Sequence, residues 1–239
     1  MTDLFLTRAR LSANFERLAP LLFPENGAAR LSATHRLVWA MFPREVKQRP
    51  FLYRETKVGS GGVLGACREM FVLSSLRPDD ETGLFQLETK PFAPALKPGD
   101  RLQFSLRANP VVSRNVVDTN GAKKVVRRDV VMEALHHVEK GSARAKARPE
   151  MVRAVGLDWL SRQGETAGFF LPDRERIAVD GYEQIAIDPL AKGRAGVHSR
   201  LDFDGVLEVR DPALFSRKLT EGFGRARAFG HGLMLIKRA

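Results

Sequence analysis

A chain of 239 residues with 44% hydrophobic side chains has material for one large or two small cores and lies outside the disordered class. Its 39 Lys and Arg against 28 Asp and Glu leave a net charge of +11, a balance that favours phosphate-bearing or anionic partners. No apolar run approaches the ~18–20 residues of a membrane span, no signal-peptide pattern opens the chain, and the single Cys67 allows no disulfide within it, so a cytoplasmic location is expected. No Cys/His cluster has zinc spacing, and neither a metal nor a cofactor is expected.

In chain order, LFLTRARL (4–11) alternates apolar and polar residues as a half-buried strand does. After the turn material FPENG, the stretch LSATHRLVWAMF places Leu31, His35, Val38 and Phe42 on one helical face, and Pro43 ends it. FLYRET, REMFVLSS and GLFQLETKPF read as extended, and RLQFSLRANPVV as a strongly alternating strand closed at Asn109-Pro110. Where a split βαβ unit wants a second helix, only SSLRPDDETG is present. The basic stretch SRNVVDTNGAKKVVRRD reads as a flexible, turn-rich segment. Helices are expected over VVMEALHHVEK and PEMVRAVGLDWLSRQ, separated by GSARAKAR.

RIAVDGYEQIAI and HSRLDFDGVLEVR are strand-like, with Asp204-Gly205 as a turn or bulge signal. Asp211 as N-cap and Pro212 at the first position start a helix that ends at Gly222, and LMLIKR supplies the last strand. The implied fold is α+β, with two tandem ferredoxin-like domains over 1–115 and 116–239.

Basic charge is concentrated. Residues 114–153 hold ten Lys/Arg against five Asp/Glu, and residues 217–239 hold six against one. The second segment contains GFGRARAFGHG, with Gly222, Gly224, Gly230 and Gly232 around Arg225 and Arg227. Too little chain follows for a dinucleotide-binding βαβ unit, and no Gly-Lys-Ser/Thr is present. The residues alone leave two readings, a tight helix-to-strand connection and a phosphate-facing loop.

LRANP, the basic stretch after it, FDGVLEV and GFGRARAFGHGLM occur in the order found in the CasE family, the pre-CRISPR-RNA endoribonucleases of the type I-E Cascade complex. THRLVWAMFP also resembles the family's helix, with His35 seven residues before Phe42-Pro43. The resemblance spans essentially the whole chain and implies two ferredoxin-like domains of the repeat-associated RNA-binding superfamily. It implies metal-independent cleavage of a CRISPR repeat hairpin, with attack by the 2′-OH, a cyclic phosphate end, retention of the product and other Cascade subunits as partners.

On the resemblance, His35 is the catalytic candidate, able to take either proton role near neutrality. Read from its spacing alone, it is a core-edge histidine. Ser32 stands where the family often has a tyrosine, and Arg36 is a candidate for phosphate charge. The RNA-contacting set expected is Arg107, Arg114, Lys123, Lys124, Arg127, Arg128, Arg225 and Arg227. Gly222, Gly224, Gly230 and Gly232 are expected to let the RNA backbone come close. His136, His137, His198 and His231 have no family match, although His231 lies in the loop expected to face RNA. The competing expectation is a non-catalytic RNA-binding subunit on the same scaffold.

Overall fold

The computed structural model describes residues 3–22, 27–56, 69–117, 121–187 and 196–239. Its elements run β1 (Phe5–Leu11), the single turn α1 (Ala19–Leu22), α2 (Gly27–Trp39), β2 (Phe51–Thr56), β3 (Glu69–Ser74), β4 (Phe85–Pro91), β5 (Arg101–Ala108), β6 (Val111–Val117) and β7 (Lys123–Asp129). They continue with α3 (Val130–Leu135), α4 (Ser142–Ala167), β8 (Phe169–Phe170), β9 (Ala178–Ile187), β10 (Gly196–Val209), α5 (Pro212–Glu221) and β11 (Met234–Arg238).

The first sheet has the strand order β2-β3-β1-β4, all pairs antiparallel. Alternation in β1 sends Thr7, Ala9 and Leu11 inward, and α2 closes that face with Val38 against Tyr53, Met70 and Val72. Between β3 and β4 the chain makes turns where the split βαβ pattern would place a helix. Asp80 organises them, accepting from the Thr82 backbone N–H at 3.1 Å.

The second sheet has the order β11-β5-β10, with β9 and the short β8 both paired to β10. This is where the expected boundary at 115 needs correction. β5 is central to the second sheet, so the division falls between β4 and β5. The cause is burial: Leu102, Phe104, Leu106 and Ala108 pack with Leu160, Phe203, Phe215 and Leu219 in one core. With β5 as its first strand, the second unit reads β5-α-β9-β10-α5-β11, the ferredoxin-like order.

Three local expectations also change. GSARAKAR is no linker: from Ser142 it forms the first turns of the 26-residue α4, which continues through Pro149. Ala, Arg and Lys are strong helix formers, and a proline costs the helix only one donor and a local bend. The stretch expected to be flexible is a regular antiparallel hairpin, β6–β7, with Val116 opposite Lys124 and Val112 opposite Arg128. Its valines favour extended backbone. Finally, β10 runs through Asp204-Gly205 in register with β5, and its irregularity falls between Arg200 and Asp202 opposite β9. Gly205 packs closely on Ile177, whose Cδ1 would lie 2.4 Å from a Cβ there and would have to swing aside.

α5 begins as expected, with the Asp211 carboxylate accepting from the N–H groups of Ala213 and Leu214. The two sheets dock through a small apolar cluster of Leu52, Leu73 and Leu233. Polar clips flank it. Arg54 donates to Ser105 Oγ at 2.9 Å, and the Tyr53 hydroxyl donates to the Ala228 carbonyl at 3.1 Å.

Candidate active site

The glycine-rich loop sits at the junction of the two units. Gly224 and Gly232 have φ of +71° and +90°; a Cβ on the first would meet Asn109 O at 2.7 Å and on the second Phe223 O at 2.6 Å. Gly222 lies against Leu52 and Gly230 against the Tyr53 ring. The bare α-carbons thus face protein, which corrects the expectation that they make room for RNA backbone. Their close approach seats the loop, with Arg225 N–H donating to Asn109 O and Gly232 N–H to Arg107 O. The tight-connection reading describes the glycines, and the arginines between them remain available. Arg225 is exposed.

Beside the loop lies His35, half-buried on α2, with its ring 6.0 Å from Phe51 and 6.3 Å from Tyr53. One turn on, the Trp39 indole N–H donates to His35 Nε2 at 3.0 Å. Indole nitrogen only donates, so Nε2 is the acceptor and the imidazole hydrogen sits on Nδ1. Nδ1 is buried and has no hydrogen-bond partner. Burial first, and the Arg49 guanidinium second, hold the His35 pKa below its ordinary value. In this arrangement burial favours the neutral ring, with Nε2 engaged by the indole and Nδ1 enclosed by protein.

Arg49, just before β2, was not singled out from the sequence, because nothing local distinguishes it from a solvated cation. In the fold it is half-buried and has no ion pair among the described residues. Burial and then the Arg227 charge lower its pKa. Arg227 itself spends one guanidinium nitrogen on the Glu221 carbonyl. Two arginines that feel each other's charge, neither in an ion pair among the described residues, make a corner suited to a phosphate. Tyr53 and Trp39, which shape this corner, were likewise not singled out, although the i, i+4 spacing of Trp39 to His35 was readable.

Other expected residues divide. Ser32 is partly buried on α2 and makes no side-chain hydrogen bond among the described residues, and Arg36 is exposed and unpaired among them. Lys123, Lys124 and Arg127 are exposed on the β6–β7 hairpin. Arg114 and Arg128, on opposite strands of it, both bind the Glu133 carboxylate, at 3.0 and 2.9 Å. They tie the hairpin to α3. Arg107 is corrected outright. Its guanidinium makes a two-point pair with Asp202 at 2.7 and 2.9 Å and reaches the Glu55 carbonyl, so it joins strands and domains.

His231 is also corrected, being buried beneath the loop with Nε2 3.0 Å from Nε2 of His198. Burial, followed by the charges of His198, Arg107 and Arg200, pushes its pKa down to about 3. The unfolded chain, with an ordinary histidine near 6.5, then binds the proton more tightly. This contribution to stability is complete above pH 6.5 and is lost as pH falls toward 3, by about 1.4 kcal/mol per unit. Melting curves should show wild type losing stability from pH 7 to 5, and His231→Leu losing less over the same interval. Equal slopes would show that this pair does not govern acid sensitivity.

Among the described residues no cluster of three or more His, Cys, Asp or Glu is placed to hold a metal ion. No helix among them is long and apolar enough to cross a membrane.

Fold and site together define a tandem ferredoxin-like protein with a cationic, histidine-bearing corner at its domain junction. A family model described as CRISPR associated protein matches residues 4–238, and the chain belongs to that family. It is 32% identical over 154 residues to CRISPR-associated endoribonuclease Cse3 of Thermus thermophilus. That alignment spans 62% of this chain and 60% of that relative's length.

The structure of Thermus thermophilus Cse3 bound to an RNA representing a pre-cleavage complex superposes with a TM-score of 0.64 at 25% identity, covering 98% of this chain and 99% of that one. The CRISPR-associated protein Cas6e from Escherichia coli str. K-12 shares the fold, with a TM-score of 0.63 at 19% identity over 98% of this chain and 100% of that one. Both bear out the expected two-domain α+β class.

Proposed function

We propose that this protein is an endoribonuclease that cuts CRISPR repeat hairpins in precursor RNA, keeps the mature product and serves as a subunit of a Cascade complex in the cytoplasm. The observation that carries it is His35 at the domain junction under the charge of Arg49, with Arg49 and Arg227 in no ion pair among the described residues, in a chain related to an endoribonuclease captured with pre-cleavage RNA. In the proposed reaction the ribose 2′-oxygen attacks the adjacent phosphorus and the bond from phosphorus to the 5′-oxygen breaks. The 2′-hydroxyl gives up its proton and the 5′-oxygen gains one, with His35 serving one of these transfers and solvent the other, and a 2′,3′-cyclic phosphate remains. Arg49 and Arg227 offset the charge that gathers on the phosphoryl oxygens. Lys123, Lys124 and Arg127 on the hairpin, with Arg225 on the loop, supply phosphate contacts along the stem.

Such a reaction needs only proton movement and charge stabilisation, both available from side chains, so we place no metal in it. Incubation of the protein with a repeat hairpin in excess EDTA should give discrete cleavage at the rate seen with Mg²⁺. Activity lost in EDTA and restored by Mg²⁺ would overturn metal independence. Tight binding with no cleavage under either condition would favour the non-catalytic subunit.

A further inference from the structure

We propose that Asn109, Ser199 and Asp129 form a positioning relay that fixes the β6–β7 hairpin against the glycine-rich loop, so that an RNA stem gripped by the hairpin brings one phosphate to the corner beside the loop. This rests on the cleavage reading above. The hairpin is a two-stranded sheet of its own, outside both larger sheets, so its direction is set at its two feet. One foot is Asn109-Pro110, where β5 runs into β6, and the other is Asp129-Val130, where β7 runs into α3. Val111 and Asp129 are partners in the ladder, which brings the feet together.

Both feet are tied to their surroundings. The Asn109 carbonyl accepts from the Arg225 N–H of the loop at 3.2 Å, and the Pro110 carbonyl from the Val130 N–H at 3.3 Å. The Asn109 side-chain amide donates to the Ser199 carbonyl at 2.6 Å and to Ser199 Oγ at 3.2 Å. Ser199 Oγ in turn donates to Asp129 Oδ2. A carbonyl only accepts, which fixes the orientation of the amide, and the serine hydroxyl has a single hydrogen, which Asp129 takes. The relay therefore runs one way, from Asn109 through Ser199 to Asp129. Asp129 Oδ1 accepts from the Met132 N–H at 2.6 Å, starting α3, and from the Tyr182 hydroxyl at 3.0 Å. Burial first and the Asp129 charge second raise the Tyr182 pKa, so the phenol keeps its proton and stays a donor.

Asn109 and Ser199 are 4% and 2% exposed, beside the apolar core that holds Ala108, Val130 and Leu201. Buried polar groups cost free energy unless bonded, and a fully bonded set admits one arrangement where apolar side chains would admit several. A ruler needs that property. The span from Lys123, Lys124 and Arg127 to the loop bearing Arg225 and Arg227 becomes a fixed length. A misplacement of about 1 Å at the reacting phosphorus is enough to cost about 10²-fold in rate.

Ser199→Ala removes the middle of the relay and touches neither the hairpin cations nor the corner. It should bind the repeat hairpin within about twofold of wild type, since every phosphate contact remains. The ruler is read with a second substrate, in which one base pair is inserted next to the cut. Wild type should cleave the normal hairpin about 10²-fold faster than this one in single turnover, and S199A no more than about tenfold faster. D211A, which deletes the cap of α5 instead, should keep the wild-type ratio. S199C, whose thiol is a weak donor, replaces S199A should the latter fold poorly. Without RNA, hydrogen exchange at the Arg225 amide should quicken about five- to tenfold in the Ser199 variant and stay unchanged in D211A.

Unchanged exchange at Arg225 in the Ser199 variant would refute the relay. Faster exchange with the wild-type ratio retained would refute its part in choosing the phosphate, and so would an equal loss of discrimination in D211A. Wild-type protein that binds the hairpin without cutting it would defeat the cleavage reading instead, and the exchange would still decide the relay.

Discussion

His35→Ala is expected to slow single-turnover cleavage of the repeat hairpin about 10²–10⁴-fold, the usual cost of removing a positioned proton-transfer group. Affinity for the hairpin should change by no more than a few-fold. The ring is neutral, so its loss leaves the phosphate-binding charges of Arg49, Arg227 and the β6–β7 hairpin in place. The fold should survive as well. His35 is half-buried, and its Nδ1 makes no bond within the protein. The one bond lost is that from the Trp39 indole, worth about 1 kcal/mol. A melting curve within a few degrees of wild type, with binding intact and cleavage gone, is the expected pattern. Cleavage near the wild-type rate would make His35 a core-edge residue that shapes the pocket and nothing more.

The largest effect should come from the substrate. A single 2′-deoxyribose immediately upstream of the scissile phosphate should abolish cleavage while the hairpin still binds. The modification deletes the nucleophile, and every phosphate contact remains. Loss of one hydroxyl contact would lower affinity modestly, so comparing the binding curve with the single-turnover rate separates the two. Product formed at the normal rate from this substrate would rule out internal attack. Water would then be the nucleophile and the product end a simple phosphate.

Much of the fold was legible because the signals are local. The alternation of β1, the 3.6-residue spacing of α2 and the Asp211-Pro212 start of α5 each describe a single element. β5 shows where locality stops. LQFSLRA reads as a strand wherever it lies, but its assignment to the second sheet depends on pairing with β10 and β11, both far along the chain. GSARAKAR illustrates the same limit: its polarity suggested a linker, while its helix-forming residues extend α4.

The site divides along that line. His35 was reachable through the helix motif and its family resemblance. Arg49 was not, because its meaning comes from Arg227 across the domain junction. Arg107 is the converse: a cation beside a motif looked available, and Asp202 on the neighbouring strand engages it.

The corner that holds His35 needs α2 and β2 from the first unit, and the arginine-bearing loop from the far end of the second. That loop and β11 are the last of the elements in chain order. β5 therefore pairs with a strand far along the chain, and pairing over so long a separation is slow. A chain in which that pairing has not formed can show a folded first sheet and an exposed basic hairpin before the corner exists.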